Sequence, residues 1–88
     1  MKDIEKLRRH INKIDHQIIE LLAQRMKIVK QIGLVKKNIQ KNIIDITYWK
    51  TAIEDREMKA VRHSLSTKFI KDIWNIIHSY AQKIEKEL

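Results

Sequence analysis

The sequence contains no cysteine and no proline, a single glycine (Gly33), and only two Trp, two Tyr and one Phe. Without cysteine there is no disulfide framework and no thiolate metal site, which fits a reducing compartment, so a cytoplasmic location is expected. The scarcity of proline, glycine and aromatics excludes a turn-rich sheet protein and leaves the composition of long helices, so the expected fold class is all-α. No apolar run approaches the ~20 residues of a membrane span. The opening MKDIEKLRRH is charged and no apolar stretch follows it. Neither an anchor nor a signal peptide is expected, and no membrane partner.

What is present is a chain of 88 residues with a formal net charge of +8. Its length suits one domain, 1–88, with a modest core, so a partner chain is a reasonable expectation before any motif is read. The charge is uneven: residues 1–44 carry 11 Lys/Arg against 4 Asp/Glu, residues 45–88 carry 8 against 7. A basic half of this kind serves a nucleic-acid binder or, equally, the binder of a small dianion.

Ile4, Leu7, Ile11, Ile14, Ile18, Leu21, Ile28, Ile32 and Val35 recur in alternating steps of three and four once position 25 is included. This pattern predicts one long helix with a coiled-coil-like seam, capped by Asp3 and ending near Lys37, before a polar connection over 37–42. At ~1.5 Å per residue the helix is roughly 50 Å long, whereas a compact chain of this size has a radius of gyration of only ~12 Å. One chain cannot cover it, and a second copy, giving an intertwined homodimer, is the simplest cover. Asp45 is placed to cap a second helix over 46–63, with Trp49, Ala52, Ile53, Arg56 and Ala60 on one face. Ser66 or Thr67 is placed to cap a third, to about Glu87, with Ile70, Ile73, Trp74, Ile77, Ala81 and Ile84 as its apolar stripe.

Arg25 occupies the one seam position of ten that is not apolar. Either it snorkels outward, or it pairs with a buried acid, or it awaits an anion, because an uncompensated buried guanidinium costs several kcal/mol. Lys36, about three turns on, falls on nearly the same face. Arg8 sits at the rim of the seam, either as a surface salt-bridge residue or as a second anion contact. It is 17 residues from Arg25, ~25 Å along one helix, so both reach one small molecule only if Arg8 comes from an antiparallel partner.

Leu7-Arg8-x5-Ile14-Asp15-x6-Leu22-x2-Arg25, followed by Gly33-x2-Lys36 and Asp45, resembles the all-helical chorismate mutase family. The resemblance implies three helices per chain and an interlocked homodimer with two sites, each completed by an arginine of the other chain. It implies that Arg8 of the partner and Arg25 bind the two carboxylates of a dicarboxylate substrate, and that Lys36 donates to the ether oxygen of the breaking C–O bond. It implies that Asp45 helps hold the ring hydroxyl, and that Tyr48, Trp49 and Ala81 stand on the pocket wall. Glu85, one turn beyond Ala81, falls where the family has a second donor to the ether oxygen; the other reading is a solvated acid near the C-terminus. As a donor Glu85 must carry a proton, which favours mildly acidic pH for activity.

The rearrangement of chorismate to prephenate is unimolecular and pericyclic. It needs a held conformer and fixed positive charge near the ether oxygen, with no nucleophile, metal or cofactor. His10, His16, His63 and His78 form no metal-ligand spacing and are read as surface or packing residues. The chain departs from the family at Tyr48 and Trp49, where an Arg and a Glu usually follow the aspartate, so the part of the pocket that reads the ring hydroxyl is altered. Isochorismate pyruvate lyases share the fold and lack that Glu, so a salicylate-forming lyase is the alternative, and an amino-substituted chorismate is a further substrate. A non-catalytic basic helical protein that binds nucleic acid or acts as a scaffold is the reading of another class. Against it, Arg25 and Lys36 lie on the inward face and no helix-turn-helix spacing is present, so no nucleic-acid partner is expected.

Overall fold

The structure is a computed structural model that describes residues 2–38 and 45–88. It consists of α1 (Lys2–Asn38), α2 (Ile46–Arg62) and α3 (Thr67–Lys86), with no strand among the described residues. The all-α expectation and the three-helix order hold. Most of the polar connection expected over 37–42 lies outside the described residues.

Local signals set the helix ends. Asp45 caps α2, its Oδ1 accepting from the Tyr48 backbone N–H at 3.0 Å. Ser66 caps α3, its Oγ accepting from the Phe69 N–H at 3.2 Å. Each satisfies one of the donors that a helix start leaves without a partner. The Asp3 cap expected for α1 is not formed, because the helix already begins at Lys2 and Asp3 lies inside its first turn, where its charge complements the helix dipole. Between α2 and α3 the chain turns through Ser64 at φ 58°, and the Leu65 N–H returns to the Ala60 carbonyl at 2.9 Å. That bond spans five residues, the pattern of a left-handed helix terminus at which glycine is the usual occupant.

α3 packs against both α1 and α2 and is the element that bridges them. Ile18 to Arg25 face Ile73 to Ile77, and Lys36 meets Glu85, so α1 and α3 run in the same direction. The paired residues at their C-terminal ends are separated by 49 to 51 positions in sequence. At that offset α3 starts beside the middle of α1, and residues 2–14 of α1 project beyond it, all of them exposed. The molecule extends 57 × 25 × 15 Å with a radius of gyration of 16.4 Å, against the ~12 Å of a compact chain of this length. The buried residues among those described are small: Val29, Gly33, Ala52, Ala60 and Ala81. The nine aliphatic residues of the α1 seam remain 41 to 61 % exposed.

A positive φ at a residue with a Cβ costs roughly 1 kcal/mol. Ser64→Gly is therefore expected to stabilise the fold by about 0.5–1 kcal/mol, part of the gain being offset by the greater freedom of glycine in the unfolded chain. Equilibrium urea denaturation checks this, as a raised midpoint at constant slope.

Candidate functional site

Because α1 and α2 meet only through α3, a cleft of about 290 Å³ lies between them with α3 as its floor. From α1 it receives Arg25, Val29, Ile32 and Lys36, residues at three- and four-residue steps on the face turned toward α3. From the start of α2 it receives Asp45 and Tyr48. From α3 it receives His78, Ala81, Gln82 and Glu85.

The structure thus brings together Arg25, Lys36, Asp45, Tyr48, Ala81 and Glu85 of the expected site residues. Trp49 is not on the cleft surface. Its ring lies on the imidazole of His78, centroids 3.8 Å apart and planes within 7°, so it backs the wall from behind. Arg8 lies on the exposed N-terminal half of α1, beyond the start of α3. His78 and Gln82 are the polar residues that sequence reasoning left out of the site. The signal was their spacing: with Glu85 they fall at four- and three-residue steps, on one face of α3.

At one end of the cleft Lys36 Nζ stands 3.3 Å from Glu85 Oε2, with the two side chains only 18 % and 9 % exposed. Gly33 makes this contact possible. A Cβ there would lie 2.5 Å from Leu88 Cδ1 and 3.2 Å from Glu85 Cγ, so a larger residue would press directly on the glutamate and on the last turn that carries it. Lys37 Nζ reaches the Leu88 carbonyl at 3.4 Å and fastens the same end.

Toward the other end, Arg25 Nη1 is buried and has no hydrogen-bond partner among the described residues. The buried acid that might have paired with it is not among them. Arg25 as a whole is half-buried, so the cost is that of one buried donor without a partner, about 1–3 kcal/mol, and an anion supplied from outside the chain removes it. His78 lies between Arg25 and the α2 wall. Burial, then the neighbouring Arg25 guanidinium and, more weakly, Lys36, push the imidazole below its ordinary value of 6.5, against a smaller opposite pull from Glu85. It is therefore mostly neutral at pH 7. The arrangement has no nucleophile held by a base. It offers two cationic side chains, Arg25 and Lys36, two carboxyls, Glu85 beside Lys36 and Asp45 at the start of α2, and neutral polar groups, which suits binding of a small anion oriented toward the cations.

Comparison with known proteins agrees with this chemistry. Residues 7–86 match the family described as chorismate mutase type II. The chain is 30 % identical over 86 residues to a bifunctional chorismate mutase/prephenate dehydratase of Buchnera aphidicola subsp. Schizaphis graminum (strain Sg). That alignment covers 98 % of this chain and 22 % of the relative. No solved structure gives a significant match.

The electrostatics of His78 can be measured directly. Its ring resonances are expected to titrate with a midpoint below 6.5, and Arg25→Gln is expected to move that midpoint upward by removing a neighbouring positive charge; NMR titration checks both. The sign for stability follows. A histidine depressed in the folded state makes a contribution that is complete above the unfolded value and is lost as pH falls through the folded one.

Proposed function

The chain belongs to the chorismate mutase type II family, and from that premise we propose that it catalyses the rearrangement of chorismate to prephenate in a cationic site shared between two copies of the chain. The observation that carries the reading is the buried Arg25 Nη1, which has no hydrogen-bond partner among the described residues, at the side of a cleft that also holds the Lys36–Glu85 pair. Arg25 takes one substrate carboxylate. Lys36 meets the ether oxygen, which gains negative charge only as the C–O bond breaks, so its donor is worth more in the transition state than in the ground state. Glu85 joins it as a second donor when protonated. In the free protein the Glu85 carboxylate accepts from Lys36 Nζ.

The second copy is supported by the surface of the first. The apolar seam of α1 lies open along its whole length, and each of its half-exposed aliphatic side chains gains about half of the ~1.5–3 kcal/mol that burying a fully exposed one yields. Beside it Ile18, Leu21, Leu22, Ile73, Trp74 and Ile77 line a depression of about 620 Å³ that also reaches Arg25. Trp74 Nε1, buried with no hydrogen-bond partner among the described residues, belongs to the same depression. A second α1 laid antiparallel on the first covers this face and carries its own Arg8 toward Arg25. The chain spans about a fifth of the length of the Buchnera relative, so the activity assigned is that of this helical unit alone.

Tyr48 and the Trp49–His78 stack stand where the resemblance has charged residues, and this change favours testing a second substrate. Incubation of the pure protein with chorismate and, separately, with isochorismate is expected to give prephenate from the first. Pyruvate and salicylate from isochorismate, with no prephenate from chorismate, would replace the mutase reading with the lyase one. Lys36→Ala is expected to lower kcat by ~10²-fold or more, the scale of losing one oxyanion donor, with a smaller effect on KM. Arg25→Ala, which removes a contact made before and during reaction, is expected to raise KM as well. Glu85→Gln, which keeps a hydrogen-bond donor at that end of the cleft, is expected to retain activity, whereas Glu85→Ala is expected to lower kcat.

A further inference from the structure

On the α2 side of the cleft the charged side chain is Asp45, at the helix start. Tyr48 lines the same side, and Trp49 is turned onto His78 as a flat aromatic backing. Further polar groups of this part of the cleft lie on α3, where His78 and Gln82 share one face a single turn apart. A stack at 3.8 Å with planes within 7° covers one face of the imidazole and fixes its plane. No hydrogen bond to either ring nitrogen forms among the described residues, so both are available to a ligand.

The chemistry of the substrate proposed above sorts among these groups. It carries two carboxylates, an ether oxygen and one ring hydroxyl. The carboxylates go to the guanidinium groups and the ether oxygen to the Lys36–Glu85 end, which leaves the hydroxyl. A hydroxyl both donates and accepts, and a neutral imidazole does the same through its two nitrogens. His78 is neutral because burial and the adjacent Arg25 disfavour its charge, so it does not compete with the cations for a carboxylate. Asp45, whose Oδ1 is engaged by the Tyr48 N–H, repels carboxylates from the same side of the cleft.

We infer that His78, held flat against Trp49, is a specificity-determining residue on α3 that joins Asp45 in reading the substrate's ring hydroxyl. The assignment rests on the mutase reading. It also explains why an aromatic at position 49 is compatible with a working site: the residue supports the reader rather than acting as one.

The test compares kcat/KM for chorismate with that for the analogue in which the ring hydroxyl is replaced by hydrogen. His78→Phe keeps a flat ring on Trp49 and removes both nitrogens. It is expected to lose about 10-fold on chorismate, the scale of one neutral hydrogen bond, and to stay within about 2-fold of the wild type on the analogue. His78→Asn, which keeps a donor and an acceptor, is expected to recover part of the loss on chorismate. If His78→Phe matches the wild type on chorismate, or loses equally on both substrates, the histidine is only a packing partner of Trp49 and the inference is overturned. If the wild type converts no chorismate at all, the mutase reading falls and the inference with it, an outcome plainly distinct from an active wild type with an indifferent His78.

Discussion

A helix longer than its own chain can cover governs the rest of this molecule. α1 has 37 residues and α3, the helix packed along it, has 20. Among the described residues the buried interior consists of Val29, Gly33 and three alanines, a core too small to hold three helices rigidly by itself. Every other feature follows from that mismatch: the open apolar seam, the projecting N-terminal half that carries Arg8, and the gap between α1 and α2 that becomes the cleft. In the dimer we propose, the same exposed seam supplies the association energy and delivers the missing cation, so assembly and site construction are one event.

The cleft is arranged by charge. Its two ends differ: Lys36 is matched to a carboxylate of its own chain, while Arg25 has no such match among the described residues. An anionic ligand therefore gains most near Arg25, and its charge can extend toward Lys36 only where Glu85 yields. Gly33 lets the last turn of α3 approach closely enough to hold that pair, which ties a backbone property of α1 to the electrostatics of the site.

Much of this was legible in the sequence, for physical reasons that can be named. The three-four alternation from Ile4 to Val35 and the caps at Asp45 and Ser66 specify helices by rules that act within a few residues, and the structure follows them. Arg25 announced itself by breaking an apolar seam. Asp3 misled because a favourable N-cap residue type does not stop a helix from starting one residue earlier, where the carboxylate still gains from the dipole. His78 and Gln82 were not legible because their importance depends on the register between α3 and the other two helices. A histidine beside an apolar stripe reads as packing until α2 is seen to place Trp49 on one of its faces and α1 to place Arg25 nearby.

The central claim is that the seam makes the site as well as the dimer, and subunit complementation tests it most directly. Arg8→Ala and Arg25→Ala chains are prepared separately, each expected to be nearly inactive, then mixed under conditions where subunit exchange is verified by mass. In a mixed dimer one of the two sites keeps both arginines, so the account predicts recovery of activity toward one quarter of the wild-type value at equal mixing. That fraction is half of the chains forming mixed dimers with one of two sites intact. Activity no greater than the sum of the two separate variants after exchange would contradict it, because each site would then be built from a single chain.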